Sequence, residues 1–239
     1  MRNIKLTLEY DGTDFYGWQV QPGERTVQGL LQNALEELLQ SKVKVTGAGR
    51  TDGGVHALNQ VASFQTSSSL SLNAIKGGLN SLFPPDVVVK SAQEASPSFD
   101  ARRDAVSRTY RYRVLLARSP LRRRYAWELK YSLKLRPMRQ ASSMLKGVHD
   151  FTSFTASPPD GDVEVSSCEW KRRGDELWMD VVADRFLHHM VRILVGTLVD
   201  VGRGRLDVED FAAILEAKDR TLAGPTAPPQ GLWLLSVEY

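Results

Sequence analysis

Apolar and polar residues alternate through IKLTLEY, with Ile4, Leu6 and Leu8 set against Lys5, Thr7 and Glu9. A period of two predicts a strand with one buried face. TVQGLLQNALEELLQ changes to a helical period, with Val27, Leu30, Leu31, Ala34, Leu35 and Leu38 on one stripe. Thr26 is placed to cap that helix. Between the two, DGTDFYGWQVQPGER reads as a loop, its turn formers spaced among aromatics. KVKVTGAG predicts a strand running into a glycine-rich turn, and QVASFQT the strand that leaves it. SLNAIKGGLNSLF predicts a helix weakened by Gly77 and Gly78 and halted by Pro84 and Pro85, and DVVVKSAQEA opens as another strand.

The rest of the chain repeats this order with little sequence similarity. SRTYRYRVLL predicts a strand, and Pro137 to Lys146 a helix with proline first and Gly147 just past its end. EWKRRGDELWMDVVA predicts a hairpin turning at Gly174 and Asp175. Phe186 to Val201 reads as a long apolar helix, Val208 to Ala217 as a shorter one opened by Asp207, and GLWLLSVEY as a closing strand. Strands and helices in similar order predict two α+β domains, residues 1–104 and 105–239, with ASPSFDARRDA as the link.

The chain has 239 residues, 42% apolar and 25% charged, which fits a soluble globular protein with a real core. A net charge of +3 does not by itself call for a polyanionic partner. The distribution says more: Arg102 to Arg124 holds nine arginines and no lysine against one acid, Asp104. The planar guanidinium matches phosphate geometry, which favours phosphate binding over the alternative of a solvated face. Cys168 is the sole cysteine, so no internal disulfide can form, and its place in a strand after Ser166 and Ser167 reads as a buried, inert thiol. The first residues alternate and carry no apolar leader core. The longest apolar run is interrupted by His188, His189, Arg192 and Asp200, so no membrane span and a cytoplasmic setting are expected.

GAGRTDGGVHA, residues 47–57, places Arg50 and Asp52 among small residues. Dinucleotide binding would need a third glycine where Asp52 stands, and a helix where a strand is predicted. A phosphate-binding P-loop would need a lysine followed by serine or threonine, and there is none. What remains is an aspartate that caps its own turn, or one that is itself the working group. Arg192 lies inside an apolar run where a guanidinium calls for a carboxylate partner, or else faces solvent on an amphipathic helix. Tyr110 is threaded between arginines, as base stacking beside phosphate contacts requires; alternation along a strand would place it the same way.

GAGRTDGGVHALNQVASF resembles the catalytic motif of pseudouridine synthases, in the form used by the tRNA pseudouridine synthase A (TruA) family. LEYDGTDFYGWQVQP, TVQGLL, FDARRDAVSRTYRYRV, GVHDFTSF, FLHHMVRILVG and GLWLLSVEY are similar to further segments of that family, in the same order. The resemblance implies an α+β fold of two similar ferredoxin-like halves whose mostly antiparallel sheets join, with a catalytic cleft between them. It implies a cofactor-free isomerase converting uridine to pseudouridine at positions 38, 39 and 40 in the anticodon stem-loop of tRNA, working as a homodimer. By motif position Asp52 is the catalytic carboxylate, Arg50 the residue that displaces the target base, and Tyr110 the ring that stacks on it. Arg192 corresponds to the arginine paired with the aspartate, and Arg102, Arg103, Arg108 and Arg111 are candidates for RNA contact. Asp100 stands where members often carry histidine.

No metal site is expected. His188 and His189 are adjacent and would diverge on a helix, and His56 and His149 stand alone. His56 reads as a structural residue bonding the backbone of the aspartate loop. A non-catalytic RNA-binding module is the competing class, and a nucleotide-dependent dehydrogenase a distant third.

Overall fold

The alternating first segment folds as β1 (Arg2–Tyr10), with Ile4, Leu6, Leu8 and Tyr10 all buried on one face. A computed structural model describes residues 1–157 and 161–239. These fall into two compact units, Met1–Val106 with Leu234–Tyr239, and Ser107–Trp233.

In the first unit β1 is followed by α1 (Val27–Leu39), β2 (Thr46–Gly47), β3 (His56–Thr66), α2 (Leu72–Leu82) and β4 (Val87–Ala95). β1 lies between β3 and β4 and is antiparallel to both, and β2 pairs antiparallel with β3. The order β4-β1-β3-β2 in a βαββαβ chain is a ferredoxin-like arrangement. The Thr26 hydroxyl accepts from the Gly29 N–H at 3.3 Å, capping α1 as its sequence predicts. Val27, Leu31, Ala34 and Leu35 form the buried stripe of this helix, and Ile75 and Leu79 that of α2.

KVKVTGAG is a strand only at Thr46 and Gly47. The Val45 carbonyl is taken by the Gln28 side chain of α1 (2.9 Å), so a side chain replaces the strand partner that the pattern presupposes. β3 begins earlier than expected, at His56, and its register sets Leu6 opposite Ala62 and Leu8 opposite Gln60.

The second unit runs β5 (Ser107–Leu115), β6 (Trp127–Glu128), α3 (Leu135–Ser143), β7 (Gly147–His149), β8 (Val163–Arg173), β9 (Glu176–Ala183), α4 (Met190–Arg203) and α5 (Val208–Ala217). Its sheet has the order β5-β9-β8-β7. Strand, helix, hairpin and helix (β5, α3, β8–β9, α4) follow one another as β1, α1, β2–β3 and α2 do. In each unit the third strand of the series lies beside the first. The internal repeat is therefore one of topology. Tyr112, Val114, Met179, Val181, Ile193, Leu194, Leu198 and Phe211 are fully buried in this unit.

Two helix boundaries differ from expectation. α3 starts at Leu135, two residues before Pro137, and ends at Ser143. Proline is tolerated there because the first-turn N–H groups have no partner within the helix. α4 starts at Met190 rather than Phe186, because His189 adopts a left-handed backbone (φ 62°) that interrupts the helical path. Apolar character continues across this break, so hydropathy cannot mark it. Among the described residues no helix is long and apolar enough to cross a membrane.

Candidate active site

The loop from β2 to β3 carries the motif and is held from below. The Thr51 carbonyl accepts from the Trp18 N–H (3.0 Å), and the Phe15 carbonyl from the Gly54 N–H (3.2 Å). The Thr51 hydroxyl lies 2.8 Å from the Tyr10 phenol, and the Gln60 amide donates to the Gly49 carbonyl at 3.0 Å. Two glycines permit this packing. A Cβ at Gly17, which has φ +92°, would lie 2.6 Å from the Thr51 carbonyl oxygen, and one at Gly47 would lie 2.4 Å from the Trp18 ring. Thr51 is buried by these contacts, whereas Asp52 is half-buried and Arg50 exposed. The loop thus presents a cation and a carboxylate from a backbone whose intervening positions are tied inward.

His56 is fully buried at the head of β3, its Nδ1 standing 3.1 Å from both the Gly12 N–H and the Asp11 carboxylate. It ties residues 11 and 12 to the head of β3, so the backbone it meets is that of Gly12 rather than that of the aspartate loop.

Tyr110 and Arg192 belong to the second unit. Tyr110 and Tyr112 occupy the inward row of β5, with Arg111 and Arg113 on the other face, which is the alternation that a period of two requires. Tyr110 is 7% exposed, and Phe186 meets it edge to face with ring centroids 5.0 Å apart. Arg192 is not in mid-helix as its run implies but in the first turn of α4, half-buried. Its Nε–H donates to the Ala227 carbonyl (2.8 Å), and the Ala227 N–H donates back to the Arg192 carbonyl (3.0 Å). The Tyr112 phenol donates to the Pro228 carbonyl at 2.7 Å. Burial holds that phenol well above its usual titration range, and the Arg192 charge opposes the shift.

Three guanidinium groups of the arginine run are paired with carboxylates inside the fold. Arg111 makes a two-pronged bond to Asp180 (2.6 and 2.9 Å), Arg113 one to Glu176 (2.9 and 2.9 Å) and Arg122 one to Asp175 (2.7 and 2.6 Å). Arg108, half-buried, donates to the Asp184 carbonyl at 2.5 Å. Arg111, one of the residues expected at an RNA contact, has its charge compensated inside the fold by Asp180. Arg102 and Arg103 are exposed on a turn whose backbone N–H groups both donate to the Asp100 carboxylate at 2.9 Å. Asp100 thus acts as a turn cap. His188 and His189 also depart from expectation. Lying before α4 rather than within it, they bring their ring centroids to 3.9 Å instead of diverging.

Sequence reasoning missed Tyr10, Thr51 and Gln60. Tyr10 had a signal, since the alternation of β1 carries it onto the buried face. Thr51 and Gln60 had none, because their partners are distant in sequence.

Residues 7–102 and 141–239 match a family profile described as tRNA pseudouridine synthase. The chain is 45% identical over 244 residues to a tRNA pseudouridine synthase A of Geobacillus sp. (strain WCH70), covering 100% of this chain and 98% of the relative. It is 47% identical over 245 residues to a protein of that name in Geobacter sp. (strain M21), covering 100% and 99%. A third, from Pelobacter propionicus, is 46% identical over 244 residues, with both chains fully covered. Arg50 and Asp52 fall in the first matched stretch and Arg192 in the second. Tyr110 lies between the two, in a segment the full-length relatives cover.

Proposed function

The chain belongs to the tRNA pseudouridine synthase family, and from that premise we propose that it isomerises uridine to pseudouridine in tRNA with Asp52 as its catalytic carboxylate. The observation that carries the reading is Asp52 itself, half-buried on a loop tied down at Gly49 and Thr51, within the first stretch that the family profile matches. The reaction exchanges the N1–C1′ bond for a C5–C1′ bond. C5 loses its proton and N1 gains one, so atoms and electrons balance without redox change or a carrier. Such chemistry needs a positioned carboxylate, a base held while detached, and little water. Attack of the carboxylate on the sugar, attack on the base, and removal of a sugar proton to give a glycal all use one Asp in this way.

The substrate positions are 38, 39 and 40 of the anticodon stem-loop, as the family resemblance implies. A base in a stem must be extruded at a cost of roughly a few kcal/mol. Arg50 fills the vacated place, and Tyr110 stacks on the uracil, which contributes about 1–3 kcal/mol. Arg192 acts with Asp52 in catalysis, as the family resemblance implies. Arg102, Arg103 and Arg108 contact the tRNA backbone. The enzyme works as a homodimer in the cytoplasm, with tRNA bound across both subunits.

The test uses unmodified tRNA carrying tritium at uracil C5, given to wild type and Asp52→Asn. Tritium released by wild type alone supports the proposal. Release by both would move the catalytic carboxylate to another residue. Release by neither, with tRNA bound, would leave a non-catalytic RNA-binding module.

A further inference from the structure

We infer that Tyr10 is a positioning residue for Asp52, acting through the hydroxyl of Thr51. The inference rests on the reading of Asp52 as the catalytic carboxylate. Tyr10 ends β1 and continues the buried row of Ile4, Leu6 and Leu8, with 2% of its surface exposed. Packing alone would be served there by phenylalanine, because a buried hydroxyl is costly unless it is bonded. The phenol is bonded, and to the residue next to Asp52.

The bond between Tyr10 and Thr51 is part of a longer chain. Gln60 Oε1 accepts from the Val61 N–H (3.1 Å), and its Nε2 donates to the Gly49 carbonyl (3.0 Å). These partners orient the amide so that its NH2 group, 3.5 Å away, faces the Tyr10 oxygen as a donor. The phenol and the Thr51 hydroxyl lie 2.8 Å apart, and one donates to the other. Burial raises the Tyr10 pKa to about 12, so the phenol stays protonated at neutral pH.

Thr51 is held at two polar points, its hydroxyl by Tyr10 and its carbonyl by the Trp18 N–H (3.0 Å). Gly49 is held by Gln60. Tying residues 49 and 51 inward leaves 50 and 52 directed away from the core, in keeping with an exposed Arg50 and a half-buried Asp52. Without the Tyr10 hydroxyl, Thr51 keeps only its backbone tether and the carboxylate beside it can drift. Displacement of a reacting group by about 1 Å costs on the order of 100-fold in rate.

The test compares Tyr10→Phe, Thr51→Val, Thr51→Ser and Asp52→Asn under single-turnover conditions, with tRNA affinity and melting temperature measured alongside. Tyr10→Phe and Thr51→Val are each expected to slow conversion by about 10-fold or more, with tRNA Kd changed by less than about twofold. The double variant should be no slower than the slower single one, since both remove the same link. Thr51→Ser should restore the rate. A Tyr10→Phe protein that melts lower but converts at the wild-type rate would reduce Tyr10 to a structural role and overturn the inference. Multiplying rate losses in the double variant would overturn the link through Thr51. Asp52→Asn separates the two levels. If it is inactive while Tyr10→Phe converts normally, only the positioning role fails; if it converts normally, the assignment of Asp52 fails first.

Discussion

Arg113 of β5 and Glu176 of β9 face each other through two parallel hydrogen bonds, each 2.9 Å long. Glu176 also accepts from Arg122 at 3.2 Å and from the Trp178 indole at 2.6 Å, and it is only 5% exposed. Burial alone would raise its pKa. The bonds from Arg113, Trp178 and Arg122 outweigh burial and hold the carboxyl below its usual range. A depressed folded pKa stabilises the fold above the unfolded value of about 4.3, and that stability is lost as pH falls through the folded value. Glu176→Gln is therefore expected to destabilise the protein by about 3 kcal/mol at pH 7. The difference from wild type should shrink below about pH 4. Urea unfolding of both proteins at pH 7 and pH 3.5 checks this; an equal difference at both would remove Glu176 from the acid response.

Arg102 and Arg111 should separate in a salt titration of tRNA binding. Arg102→Ala and Arg103→Ala are each expected to weaken binding and lower the log–log salt slope by about 1. Arg111→Ala should leave the slope unchanged and lower the melting temperature, because Asp180 already holds that guanidinium. A lower slope for Arg111→Ala would return that residue to the RNA surface.

Arg192→Lys keeps the charge but loses the planar fork and its Nε bond to Ala227. Turnover is expected to fall on the order of 100-fold, as for loss of one preorganised donor, with tRNA still bound. Turnover within twofold of wild type would show that charge alone is sufficient.

Cys168 is a free thiol whose pKa is pushed up to about 12, by burial first and then by the nearby Asp180 and Glu169 carboxylates. Alkylation of the native protein at pH 8 should be slower than that of the unfolded chain by at least about 100-fold. Comparable rates would contradict the inert thiol expected from the strand pattern.

Much of the fold was legible because its signals are local. The alternation of β1, the stripe and Thr26 cap of α1, the hairpin at Gly174 and Asp175, and the Asp207 start of α5 each depend on residues within a few positions. The start of α4 was not legible, since the left-handed His189 lies in an apolar run that hydropathy reads as continuous. The run from Arg102 to Arg124 had a visible charge but no visible partners, because Asp175, Glu176 and Asp180 approach it only through the pairing of β5 with β9.

The candidate site divides along the same line. The chemical groups, Arg50 and Asp52 in a glycine-rich turn, and the family resemblance are legible along the chain, because both are properties of contiguous residues. Tertiary structure alone decided what holds those groups: Tyr10, Trp18 and Gln60 bond to Thr51 and Gly49 across separations of 11 to 41 residues. Hydrogen bonds of that range are set by strand register and loop packing, and no local periodicity records them.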